Sequence, residues 1–228
     1  MVTSKHILGT FDDALSALRN NVLMMAGLTE RSLERALKGL FDRDDDLCAN
    51  AIADDEEIDQ LEIQIDGDGV AILLRFQPLA SDLRRVVSAM KLSSNLERVG
   101  DQATNIARRA RKLNRHPPLS EIELIVPMRA HAMAMFKDSV DAYVREDVEL
   151  ARAIVPRDHA LDEMNRVVSR KLIDRMAKDK DQLRGYLNLM FVAQHLERVG
   201  DHATNIAEES VYAAVAEDIR HQTAAASV

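Results

Sequence analysis

Among the carboxylates that stand four residues apart in this chain are four pairs: Asp55 and Asp59, Glu97 and Asp101, Asp158 and Asp162, Glu197 and Asp201. On an α-helix that spacing leaves them about 40° apart, so each pair shares one face. Exposed, like charges at this spacing cost a few tenths of a kcal/mol; buried without partners they cost far more. Where two pairs on neighbouring helices face each other, four carboxylates converge. Oxygen-only clusters of that kind suit Mg, Mn, Ca or Fe, and bridging carboxylates extend the expectation to a multinuclear site. Asn105 and Asn205 continue the Glu97/Asp101 and Glu197/Asp201 stripes. With Glu62 they are candidates for an extra ligand or for support of one. The competing reading is structural: Arg98 and Arg198 would neutralise the stripes as plain salt bridges, and the acids at 54–57 would be a solvated face.

The elements that carry these pairs follow from an internal duplication. Leu96–Ala107 reads LERVGDQATNIA and Leu196–Ala207 reads LERVGDHATNIA, eleven of twelve positions matching at an offset of 100. Leu83 and Arg84 match Leu183 and Arg184 at that offset. Further back the offset is 103, pairing Asp55 with Asp158, Ile58 with Leu161 and Asp59 with Asp162. Buried aliphatic positions tolerate swaps of similar volume, so packing alone does not account for the persistence of Glu, Arg, Asp, Thr and Asn. Gly100 and Gly200 beside the stripe each weaken a helix; a missing side chain there would admit a metal cluster or a close helix.

Aromatic residues make up 4% of the chain and there are eight Gly and five Pro, a composition for long helices. Ile58, Leu61, Ile65, Ile72 and Phe76 form a stripe of helical period, as do Leu161, Met164, Val168 and Leu172. Six helices are predicted near 8–42, 46–75, 79–113, 120–144, 147–177 and 181–218. Pro78 separates the second from the third. Ser120 and Glu123 read as a capping box restarting the fourth, and Pro127 and Pro156 predict a late start or a kink. Gly67 and Gly69 weaken the second helix. The fold class is therefore all-α, a tandem repeat of two antiparallel three-helix bundles, residues 1–115 and 116–228, joined at Pro117-Pro118. Helices of about 30 residues are about 45 Å long and must bury their stripes against each other.

Thirty Lys and Arg against 38 Asp and Glu leave a net charge of −8, which argues against nucleic acid as the main ligand. A lone Cys48 excludes an internal disulfide and four-cysteine zinc sites. With no signal-peptide pattern and no apolar run of membrane length, a cytoplasmic location is expected. No His follows a Glu at three residues, so the ligand motif of many di-iron bundles is absent. His195 and His202 lie off the acidic face and read as structural, and Cys48 and the methionines of helix four (Met128, Met133, Met135) as packing. The basic run Arg108, Arg109, Arg111, Lys112, Arg115 suits the negative end of a helix dipole, with a docking patch as the alternative; the second copy has Glu208 and Glu209 there. No nucleophile–base pair, phosphate-cradling loop or zinc-helix motif is present, so an enzyme is not expected.

These residues resemble the PhoU family of phosphate-transport accessory proteins. The resemblance runs from His6 to about Val215. It rests on the two Leu-Glu-Arg-Val-Gly-Asp segments followed by Ala-x-Asn-Ile-Ala, on Arg75–Arg84 (RFQPLASDLR), and on the Asp-x-x-x-Asp pairs one helix earlier. It implies paired three-helix bundles that bind metal through Glu97, Asp101, Glu197, Asp201, Asp55, Asp59, Asp158 and Asp162, the ion being Fe, Mn, Mg, Zn or Ca. It also implies a non-enzymatic negative regulator of phosphate uptake and of the phosphate-starvation regulon. Such a regulator would link the ATPase subunit of the phosphate ABC transporter to a sensor histidine kinase, associate peripherally with those membrane complexes and form a homodimer. Asn165 stands where the first copy has Glu62, so a ligand there would exist in the first half alone. The rival readings are a di-metal carboxylate enzyme and a metal-free helical scaffold.

Overall fold

A computed structural model describes residues 3–220. The first bundle is α1 (Thr3–Phe41), α2 (Asp45–Phe76) and α3 (Ala80–Asn114). The second is α4 (Val126–Arg145), a helix broken into α5 (Val148–Ile154) and α6 (Asp158–Lys178), and α7 (Leu183–Val215). Within each bundle every long helix packs on the third one, and the bundles join chiefly along α3 and α7. The six long elements and their division into two three-helix bundles are as predicted.

The helix ends have local causes. Asp44 caps α2 by accepting from the backbone N–H groups of Asp46 and Leu47, one of the strong capping choices. At its other end Gln77 takes a left-handed conformation (φ 48°), and Pro78 keeps the helix from continuing. α2 runs unbroken through Gly67 and Gly69. Pro117 and Pro118 lie in the non-helical stretch after α3.

Both internal prolines act as expected. Pro127 sits in the first turn of α4, where its missing N–H costs nothing, so that helix starts at Val126 and not at 120. Pro156 lies in a three-residue 3-10 turn that separates α5 from α6. His131 and Arg157 brace that break, the first through the Arg157 carbonyl and the second through an ion pair to Asp138. The capping box at Ser120 does not form. A 3-10 turn occupies Ser120–Leu124 without a side-chain cap, and the Ser120 hydroxyl donates to Glu121 instead. α7 ends at Val215, three residues before the predicted 218, because Ala216 turns left-handed (φ 60°).

The core is continuous through both bundles. Ile58, Ile65, Leu92, Leu96 and Ile106 are fully buried in the first, Met128, Met135, Phe136, Leu161 and Leu196 in the second. Cys48 is buried, and burial pushes its thiol up to about 11, with Asp45 adding and Arg111 opposing. A packing role fits such an inert thiol.

Candidate metal centre

In each half the third helix presents its Glu-x-x-x-Asp pair to the Asp-x-x-x-Asp pair of the preceding helix. In the first half, burial holds Asp59 above its usual range, and Asp55 and Asp101 add to it. Glu97 is pushed up to about 7 by burial, then by Asp101, with Glu62 and Asp59 adding and Arg98 opposing. Glu62 is raised by burial and Asp66, and lowered by Ser94 and Arg98. Asp59, Glu62 and Glu97 are thus each raised by neighbouring carboxylates as well as by burial. The cluster already has protein partners, however. Arg98 lies 3.4 Å from both Glu97 and Asp101, and Thr104 Oγ1 donates to Asp55 Oδ1 at 3.1 Å. The structural reading of Arg98 holds here.

The second half differs. One carboxylate oxygen each from Asp158, Asp162 and Asp201 lies within 4.8 Å of the others, the one such three-acid group among the described residues. Asp158 is pushed up to about 6 by burial, then by Asp201 and Asp162, with Glu208 adding and His159 opposing. Burial, then Asp201, Asp162 and Asp158, raise Glu197, and burial and Asp162 raise Asp201. Arg198 opposes both shifts, but no ion pair within 4.0 Å joins it to either acid.

The decisive contrast is between repeat-related pairs. Thr104 and Asp55 are hydrogen-bonded in the first half. Their counterparts Thr204 Oγ1 and Asp158 Oδ1 are both buried without a partner. A buried carboxylate oxygen left unsatisfied costs about 1–3 kcal/mol or more, and a cation would satisfy it. The break at Pro156 puts Asp158 in the first turn of α6, whereas Asp55 sits inside an unbroken α2. Hard-cation chemistry fits three carboxylate oxygens that converge this closely, and Glu197 and Glu208 stand by.

Other expected residues separate from the acids. Asn205 donates to Asn95 on α3 at 3.2 Å, and Asn165 accepts from Ser169. Asn105 is half-buried on the stripe. Gly100 and Gly200 admit neighbouring side chains: a Cβ would meet Ile58 Cδ1 at 3.0 Å in one and Leu161 Cδ2 at 2.5 Å in the other. Of the 54–57 run, Glu56 and Glu57 are exposed as expected, while Asp54 is held by Arg35 at 2.7 Å and Asp55 faces α3. Sequence reasoning passed over Thr104, Thr204 and Glu208 as parts of the site. The persistence of Thr in both copies was the available signal for the first two.

A PhoU domain model matches residues 22–110 and 125–210, one copy per bundle. The phosphate-specific transport system accessory protein PhoU homolog of Pseudomonas aeruginosa is 35% identical over 218 residues, covering 95% of this chain and 90% of that one. The accessory protein PhoU of Escherichia coli is 33% identical over 220 residues, covering 96% and 90%. The crystal structure of PhoU from Pseudomonas aeruginosa superposes with a TM-score of 0.87 at 34% identity, over 91% of this chain and all of that one. The phosphate transport system regulatory protein PhoU from Streptococcus pneumoniae gives 0.84 at 28% identity. With both repeats matched and nearly the whole length shared, the chain belongs to the PhoU family.

Proposed function

We propose that this protein is a non-enzymatic negative regulator of phosphate uptake and of the phosphate-starvation response. It acts as a cytoplasmic adaptor between the ATPase subunit of the phosphate ABC transporter and a sensor histidine kinase. Full-length similarity to accessory and regulatory proteins of phosphate transport supports this role. Among the described residues no helix is long and apolar enough to cross a membrane, which suits peripheral association with those complexes.

The acidic faces bind divalent metal, with Asp158, Asp162 and Asp201 holding the first ion and Glu197 completing its shell. Asp55, Asp59, Glu97 and Asp101, with Glu62 beside them, form the weaker centre. The observation carrying the metal reading is the orphaned Asp158 oxygen inside a cluster of three carboxylates. Once bound, an ion supplies positive charge that cancels the repulsion among these acids and stiffens the α6–α7 contact. Phosphate status is then read by population shift between partner-bound states.

The test has two arms. Cells lacking the protein are complemented with wild type or with D158A/D201A, and phosphate uptake and starvation-gene expression are followed. The purified proteins are analysed for bound Mn and Fe, and their melting temperatures are compared with and without the ion, since an ion that binds the folded state raises Tm by mass action. Restored repression by wild type supports the regulatory role. Metal content unchanged in D158A/D201A sinks the metal assignment and leaves the regulatory role standing.

A further inference from the structure

The last two turns of α3 carry Arg108, Arg111 and Lys112, and Arg115 follows as its C-cap, at i, i+3, i+4 and i+7. That spacing puts four cations on one stripe, about 10.5 Å long at 1.5 Å per residue. With Ile52 of α2 as an apolar floor they line an open groove of about 270 Å³. Among the described residues none of the four makes an ion pair within 4.0 Å, and the Nε of Arg111 is buried without a hydrogen-bond partner. Arg109, between them in sequence, points elsewhere: it stacks on the Phe191 ring at 4.0 Å and donates to Asn188 of α7.

Folding does not require this charge. Arg43 already satisfies carbonyls at the end of α3, donating to those of Asn114 and His116. The dipole effect fades within the last turn, and Arg108 lies beyond it. The repeat supplies the control: α7 has no basic residue in its last turn and runs 33 residues regardless. At the positions of Arg108, Arg111, Lys112 and Arg115 it carries Glu208, Val211, Tyr212 and Val215. Of the acids at the start of α2, Asp44 is engaged in its N-cap and Asp45 by Asn114 at 2.8 Å.

We propose that this groove docks an acidic helical segment of a protein partner, one per molecule. A row of cations at helical spacing complements a row of carboxylates at i, i+4 and i+7 on an opposing helix, and Ile52 takes one aliphatic side chain among them. A membrane surface fits less well. The exposed apolar residues Val70, Leu74 and Leu79 lie toward the opposite end of α2, so the groove offers no apolar face for insertion. The inference is independent of the metal centres and of the regulatory role, and its test touches neither.

The probe is a fluorescent 15-residue peptide with Glu at i, i+4, i+7 and i+11 and one Leu between them, read by anisotropy against the full-length protein. A peptide of the same composition with shuffled spacing is the first control. Wild type binds the ordered peptide at least tenfold more tightly than the shuffled one. R108E/K112E loses at least tenfold, and the milder R108Q/K112Q weakens binding in the same direction. R170E/K171E, which changes the net charge equally on exposed α6, leaves it unchanged. Equal binding of both peptides, or equal loss in R170E/K171E, overturns the proposal. So does retention of either anionic phospholipid vesicles or tripolyphosphate by a stripe that ignores the ordered peptide.

Discussion

His195 Nδ1 lies 2.9 Å from Gln102 Oε1 across the α3–α7 junction, and the repeat-related contact joins His202 Nδ1 to Asn95 Oδ1 at 3.2 Å. The residue types are exchanged between the two: an amide on α3 meets a histidine on α7 each time. The single mismatch in the twelve-residue repeat, Gln102 against His202, is thus matched by a second exchange at 95 and 195. Each pair gives one N–H donor to one amide oxygen and ties one bundle to the other.

Neutral and protonated imidazole can both donate from Nδ1, so it is burial, not the pairing, that disfavours the charged form. Burial pushes His195 down to about 4, with Arg198 and Arg109 adding, and His202 is lowered by burial, Arg98 and Arg198. The unfolded chain protonates near pH 6.5, the folded chain only near 4. The stabilising effect is therefore complete above about 6.5 and is lost as pH falls toward 4. Urea unfolding of wild type and H195Q will show this as a difference. At pH 7.5 the variant is less stable by about 1 kcal/mol, the scale of one hydrogen bond. As pH falls to 4.5 the gap narrows and reverses. A gap that stays constant with pH means that His195 titrates alike in the folded and unfolded chains.

The carboxylates have the opposite sign. Asp158 is raised to about 6 and Glu97 to about 7, so metal-free folded protein holds protons that the unfolded chain has lost. Its stability falls as pH rises from about 4 through 7. D158N removes one such charge. In chelator at pH 7.5 it is expected to be more stable than wild type by about 1 kcal/mol, below the full cost of an unpaired buried charge. With Mn added, wild type gains melting temperature and D158N does not. A variant that is less stable in chelator means the Asp158 carboxylate has a protein partner after all.

Much of this was legible in the sequence. The duplication placed every acidic pair on its helix, and Pro127 and Pro156 marked a delayed start and a break that both exist. What stayed hidden was the inequivalence of the halves. Glu97/Asp101 and Glu197/Asp201 are identical as motifs, as are Arg98 and Arg198. They differ because Arg98 reaches its two acids and because Thr104 meets Asp55 while Thr204 does not meet Asp158. Those are differences in which side chains meet, set by tertiary packing. Ser120 failed as a cap for a related reason: the turn there is 3-10, and its hydroxyl has Glu121 at hand.

Two glycines of the first bundle should respond oppositely to the same change. A Cβ on Gly67 meets nothing within 4 Å, so G67A is expected to stabilise by about 0.5–1 kcal/mol through helix propensity. A Cβ on Gly39 would sit 2.5 Å from Cys48 Sγ and 2.9 Å from the backbone oxygen of Asp44. Backbone cannot yield there without disturbing the α2 cap, so G39A is expected to destabilise by about 1–3 kcal/mol. Thermal or denaturant unfolding of the two variants checks both signs.

Arg98 decides whether the first half can take a metal as the second does. It lies against both Glu97 and Asp101, and a guanidinium already in place competes with any ion for the same oxygens. In the second half Asp158, Asp162 and Asp201 face one another with no such bridge. Calorimetric titration of the metal-free protein with Mn should therefore show one tighter event, lost in D162A/D201A and kept in E97A/D101A. R98Q removes the internal cation and should add a second event, or strengthen a weak one at least tenfold, while the first is unchanged. Equal loss of affinity in the two double variants would mean the halves are equivalent, and the geometric contrast between Thr104–Asp55 and Thr204–Asp158 would then have no bearing on metal.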